Sequence, residues 1–256
     1  MADPTLAERL GYGPDAKLLI LDCDDLGSSA SANRATEQVL KSGLATSATL
    51  MVPCPWAMDA VRRAPPGGIG VHLTLTCEYP GYRWRSLTGA ASLHDDQGFM
   101  PTTAEAVWAR ADLDEVRAEC RAQIDQALGW SVDVSHLDAH MGTMQVDPRF
   151  FAIFLELGLE YDLPIRMWGE KAERQLGFDG RARAAAAGLV FPDHMTTTWG
   201  RPAKPAFAEI LAGLRPGVTE VRASPLRLVS ALSSDDFPTF ERPAKAISGT
   251  LGAGRC

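Results

Sequence analysis

Apolar and polar positions fall into two alternating rhythms along this chain. Short apolar runs recur at LLILD (18–22), SATLMV (47–52), IGVHLTL (69–75), VSHLDAH (134–140), PIRM (164–167), GLVFP (188–192) and VTEVRA (218–223). Runs of about four to eight residues rich in Val, Ile and Thr predict strands. Between them Leu113, Val116, Cys120, Ile124, Ala127 and Leu128 recur at helical spacing and predict a helix with one apolar face. Asp147-Pro148 predicts the start of another, an N-cap followed by proline at the first helical position, with Phe150, Phe151, Phe154 and Leu155 as its stripe. Ser28, Ser29 and Ser31 offer N-caps for a third, over about 32–42. Strand alternating with helix predicts a parallel sheet. About seven strands in this length favour an irregular (β/α) barrel, TIM-barrel-like, over an open sheet.

In either arrangement chemistry belongs at the C-terminal strand ends. Asp24 and Asp25 follow the first strand, His72 lies in the third, and His140 closes the one at 134–140. The candidates thus fall near one rim. The long connection 76–103 carries Cys77, Glu78, Tyr79, Tyr82, Arg83, Trp84 and Arg85 without periodicity, and reads as a substrate lid. The plainer alternative is that its aromatics pin the loop to the body. The chain is expected to form a single domain over 1–256, poorly patterned after about 226.

Bulk properties narrow the partners. The 256 residues are 46% hydrophobic, enough to bury a large core. No run approaches the length of about 18 apolar residues that a membrane helix needs, and MADPTLAERLGYG lacks a signal-peptide apolar region. A cytoplasmic protein without membrane contact is therefore expected. Cys23, Cys54, Cys77, Cys120 and Cys256 are odd in number and have no CxxC spacing, so neither a disulfide framework nor a thiolate zinc site is expected. The net charge of −7 disfavours nucleic acid.

The acids of KLLILDCDDLG, Asp22, Asp24 and Asp25, admit three readings. A haloacid-dehalogenase-type phosphatase would use Asp22-Cys23-Asp24, with Ser47 or Thr49 on the second strand. Its late acidic pair is missing, because Asp235-Asp236 lies in a Ser-rich stretch. A metal site would join an Asp oxygen to imidazoles from among His72, His94, His136, His140 and His194. Strand alternation puts His136, Asp138 and His140 on one face, an odd choice for packing alone. Helix capping is the third reading, but the serines already supply it. Asp22 is the best structural candidate, since alternation separates Asp25 from Asp22 and Asp24 unless the chain turns there.

With DDLG at 24–27 followed by Asn33, TSATLMVP at 46–53, GVHLTLT at 70–76 with RSLTG behind it, and HLDAH at 136–140, the chain resembles the YdjC-like carbohydrate deacetylases over roughly residues 14–165. That family includes chitooligosaccharide and hopanoid-pathway members. The resemblance implies an irregular (β/α) barrel, often dimeric, that removes an acetyl group from an N-acetylated sugar or oligosaccharide with one divalent ion, magnesium or zinc. It implies that Asp25, His72 and His140 hold the ion, while Asp24 is the base activating a metal-bound water. His136 and Asp138 are expected to orient His140. Tyr79, Tyr82, Trp84 and Trp199 are candidates for stacking on sugar, and Arg83, Arg85 and Arg201 for reading hydroxyl or acidic groups. The family's late strand usually ends in a histidine, whereas here Arg222 or Ser224 stands at that place. His194, a water or a differently placed residue is then the expected acid, or activity is reduced. Two readings compete: a hydrolase of a non-sugar amide or ester, and a sugar-binding barrel with impaired catalysis.

Overall fold

The computed structural model describes residues 4–198 and 200–223. Trp199, Ser224 and the tail after about 226 lie outside the described residues. Six strands form one sheet: β1 (Lys17–Leu26), β2 (Ser47–Leu50), β3 (Ile69–Leu73), β4 (Val134–Ala139), β5 (His194–Thr197) and β6 (Gly217–Ala223). Every ladder is parallel and the order is β4-β3-β2-β1-β6-β5. β2, β3 and β6 are buried almost throughout, as helix-covered parallel strands must be.

Local signals account for the helix ends. Of the three serines at the start of the Ala30–Lys41 helix, Ser29 is the N-cap and accepts from the Ala32 amide at 3.1 Å. Asp147 caps Pro148–Glu160, whose Phe150, Phe151 and Phe154 are buried as expected. In the Leu113–Gly129 helix, Val116, Cys120, Ile124 and Ala127 are buried, but Leu128 is 46% exposed. Glu119 and Gln123 share the buried face instead, because backbone amides need them. Gln123 clasps both backbone groups of Thr74 at 2.8 Å. Glu119 accepts from the Leu87 and Thr88 amides at 3.0 and 2.9 Å.

Two expected strands are absent from the ladders. PIRM makes a single bridge, Ile165 with Leu137 of β4, and the GLVFP run precedes β5 rather than forming it. Pro164 and Pro192 each lack an N–H that a ladder would use. Residues 164–169 nevertheless run between the edge strands β4 and β5. Ile165 donates to the Val190 carbonyl at 2.9 Å, and Gly169 passes so close to β5 that a Cβ there would lie 2.8 Å from the Met195 oxygen. The sheet is open as a ladder and barrel-like in outline.

The 76–103 segment is strapped down at several points. Trp84 is buried and donates through Nε1 to the Thr76 carbonyl at 3.0 Å, and the Cys77 amide donates to Pro101 at 2.7 Å. Trp84 packs with Met51, Cys54, Cys77 and Met100 in a small cluster of its own, with Tyr82 against it.

Candidate metal centre and its buried arginine hub

The three acids of β1 take separate positions. Asp22 and Asp24 are buried, and at Asp25 the chain turns, with φ +65 and a register shift against β2 between Cys23 and Leu26. Asn33 secures this turn: its Oδ1 accepts from the Gly27 amide at 2.8 Å, and its Nδ2 donates to the Trp56 carbonyl and Asp59 at 3.0 Å. A non-glycine residue in the left-handed region costs energy and persists where its surroundings hold it. The turn brings the third carboxylate to the rim.

There Asp25 Oδ1 lies 3.3 Å from His72 Nε2 and 3.2 Å from His140 Nδ1, and the two nitrogens are 3.2 Å apart. Backbone with φ +54 at Met141 and +67 at Gly142 turns the chain directly after His140. Asp25 Oδ1 is buried and accepts no hydrogen bond of good geometry from either ring. Ligand atoms about 2.0–2.1 Å from a tetrahedral zinc stand about 3.3 Å from one another. The near-equilateral triangle and its orphaned oxygen thus fit a divalent ion. With protons there instead, burial pulls the His72 imidazolium down, but Asp138, Asp25 and Asp24 outweigh it and lift its pKa to about 10. His140 is raised against the same burial by Asp25 and Glu78. Burial raises the Asp25 carboxyl, yet the two histidines hold it well below the usual range.

Each ring is backed by a carboxylate on its other nitrogen. Asp138 lies 2.6 Å from His72 Nδ1, because β3 and β4 place His72 and Asp138 in register. Both Glu78 oxygens lie 3.0 Å from His140 Nε2. Asp138 therefore supports His72 rather than His140, contrary to the expectation from sequence.

Beneath the rim Arg166 joins four acids. Its Nε meets Glu220 at 2.5 Å, its Nη2 meets Asp22 at 2.7 Å, and its Nη1 meets Asp24 at 2.8 Å and also contacts Asp138. Arg222 holds the second oxygen of Asp24. Burial lifts the Asp24 carboxyl above the usual value, although both arginines pull it down. Asp22 falls below the usual value, since Arg166, His136 and Ser47 overcome its burial. Asp24, His72 and Asp138 are also close enough to share an ion, but Arg166 already bridges both carboxylates there.

The remaining expected residues are dispersed. His136 Nε2 faces Asp22 at 3.6 Å, against Gly70, where a Cβ would lie 2.6 Å from the imidazole ring. His194 begins β5 beside Thr219, at the opposite end of the sheet, bonded to the Pro216 carbonyl at 3.0 Å and to Arg215 at 2.9 Å. Tyr82 packs edge-on to Trp84 with ring centroids 6.1 Å apart. Arg85 is exposed, its guanidinium 5.1 Å above the Phe99 ring. Tyr79, 44% exposed, remains at the surface next to Glu78. Arg166 and Glu220 were not singled out from sequence, and Glu78 was named in the long connection without a role of its own. The signal for Arg166 was a charge inside the apolar run PIRM, and for Glu220 an acid within VTEVRA. Glu78 stands in an aperiodic loop and gave none.

Fold and site together define a barrel-like parallel α/β protein with an Asp–His–His centre at the C-terminal strand ends. Within that class the chain belongs to the YdjC-like protein family, whose profile matches residues 18–227. It is 40% identical over 158 residues to a carbohydrate deacetylase of Thermus thermophilus, a match covering 62% of this chain and 56% of that one. It is 27% identical over 214 residues to a carbohydrate deacetylase of Thermoanaerobacter pseudethanolicus, covering 82% and 81%. A solved structure from Enterococcus faecalis, described as a candidate cellobiose-phosphate cleavage protein, shares the fold with TM-score 0.71 at 21% identity, covering 86% of this chain and 91% of that one. No helix among the described residues is long and apolar enough to cross a membrane.

Proposed function

We propose that this chain is a metal-dependent carbohydrate N-deacetylase, hydrolysing the acetamide of an N-acetylated sugar or oligosaccharide to acetate and a free amine. The observation that carries the reading is the convergence of Asp25, His72 and His140 around an unsatisfied carboxylate oxygen, with the buried Asp24 bordering His72. The relatives named carbohydrate deacetylase support the substrate class. Of the two expected ions, the pair of imidazoles favours zinc over magnesium, which prefers oxygen ligands. When bound, the ion supplies Lewis-acid polarisation of the acetamide carbonyl and charge to offset the developing oxyanion.

The chain's own groups do the rest. Asp24 takes a proton from the attacking water, whose oxygen adds to the acetamide carbon. Arg166 and Arg222 fix the Asp24 carboxylate, while burial raises its basicity. The departing nitrogen needs a proton. His194 sits at the far end of the sheet, and a guanidinium such as Arg222 does not release one near neutrality. Asp24 therefore returns the proton it took as the carbon–nitrogen bond breaks, serving as base and then acid.

The test is acetate release from N-acetylglucosamine and its short oligomers, with and without a chelator. The expected result is turnover that chelation stops and divalent metal restores. Chelator-insensitive turnover, or turnover only on non-sugar amides, overturns the reading. Sugar binding without acetate release would instead indicate a binding barrel with impaired catalysis.

A further inference from the structure

The strap after β3 reaches the centre through Glu78. Both Glu78 oxygens lie 3.0 Å from His140 Nε2, and an ionised carboxylate only accepts, so the hydrogen is on Nε2. In a neutral ring that leaves the Nδ1 lone pair free, and Nδ1 is the atom facing Asp25 and His72. We infer that Glu78 is a positioning residue of the centre, fixing the tautomer and orientation of His140 and making the grip on an ion depend on the 76–103 strap. This rests on the proposed metal centre.

Glu78 is not a loose surface acid that has met a histidine by chance. The backbone leading into it is fixed: Thr74 by Gln123, Thr76 by the Trp84 indole, and Cys77 by Pro101. Farther along, Glu119 holds the strap at Leu87 and Thr88. The arrangement also repeats across the site, where Asp138 backs the other ring of the pair. Two imidazoles aimed at one point, each braced from behind by a carboxylate, is the pattern that sets ligand geometry in metal sites.

The experiment is a titration with Co²⁺, followed by its visible absorption, of the unaltered full chain and of Glu78→Ala and Glu78→Gln, each checked for an unchanged thermal transition. Glu78→Ala is expected to weaken Co²⁺ binding by about 10–100-fold. Glu78→Gln is expected to recover part of the loss, because its amide oxygen still accepts from Nε2–H. An unaltered chain that binds Co²⁺ while Glu78→Ala binds it equally well overturns the positioning role alone. An unaltered chain that takes up no Co²⁺ overturns the metal centre, and this inference with it. Loss of thermal stability with no change in affinity also overturns the inference, since it marks a merely structural acid.

Discussion

The two edges of the His72 ring meet carboxylates in opposite circumstances. On the Nδ1 edge, Asp138 belongs to a cluster with Asp22, Asp24 and Glu220 that closes around Arg166, every member at most 5% exposed at its side chain. On the Nε2 edge, Asp25 keeps 30% of its side chain exposed, and among the described residues its ion pairs are with histidines alone. Buried charge must be compensated. The chain compensates the inner group with a tethered guanidinium, and under the proposed function it leaves the outer group to an exchangeable cation. On that reading the difference separates scaffold from reactive centre within one short stretch of sequence.

The largest expected effect comes from disabling the outer edge. Asp25→Asn or His140→Ala should abolish acetate release and weaken metal binding by more than the roughly 100-fold that losing an outer support costs. Thermal stability of the metal-free protein should change little. Retained metal affinity in either variant would break the comparison. Asp24→Asn, at the junction of the two regions, should lower kcat by about 10²–10⁴-fold, as loss of a general base and acid does. Metal affinity should persist, and parallel calorimetric and kinetic titrations separate the two effects.

Arg166→Met tests the inner edge. Removing the cation from a buried cluster of four acids should destabilise the fold by about 3–5 kcal/mol, read by urea unfolding. A near-neutral effect would mean that protonation of the acids replaces the arginine cheaply. This cluster was also the part of the site least legible in sequence. The rim was readable because its residues sit at strand ends in short motifs, and His136, Asp138 and His140 were seen to share a face. Arg166, however, meets Asp24 and Asp22 across 142 and 144 positions, contacts that no local pattern encodes. The partner of Asp138 depends on the β3–β4 register, which periodicity leaves open. Leu128 and Glu119 failed the helical stripe for a related reason. Periodicity ranks residues by polarity, whereas Glu119 is buried for the amides that it satisfies.

The smallest expected effect sharpens the inner region further. His136 faces Asp22 and Glu220 with Arg166 nearby; burial opposes its protonation, but Asp22 and Glu220 outweigh that and raise its pKa. A histidine whose folded value exceeds the unfolded value of about 6.5 contributes its full stability below that pH and loses it as pH rises through the folded value. Asp24 and Glu220 are shifted upward by burial and complicate the absolute profile. Comparing the chain with His136→Gln removes most of that complication, since those acids remain in both. The stability difference between the two proteins, from urea unfolding at about pH 5 to 9, should be largest at the acid end and shrink as pH rises. A difference independent of pH would show that His136 is neutral in the folded protein, and that Arg166 alone compensates Asp22.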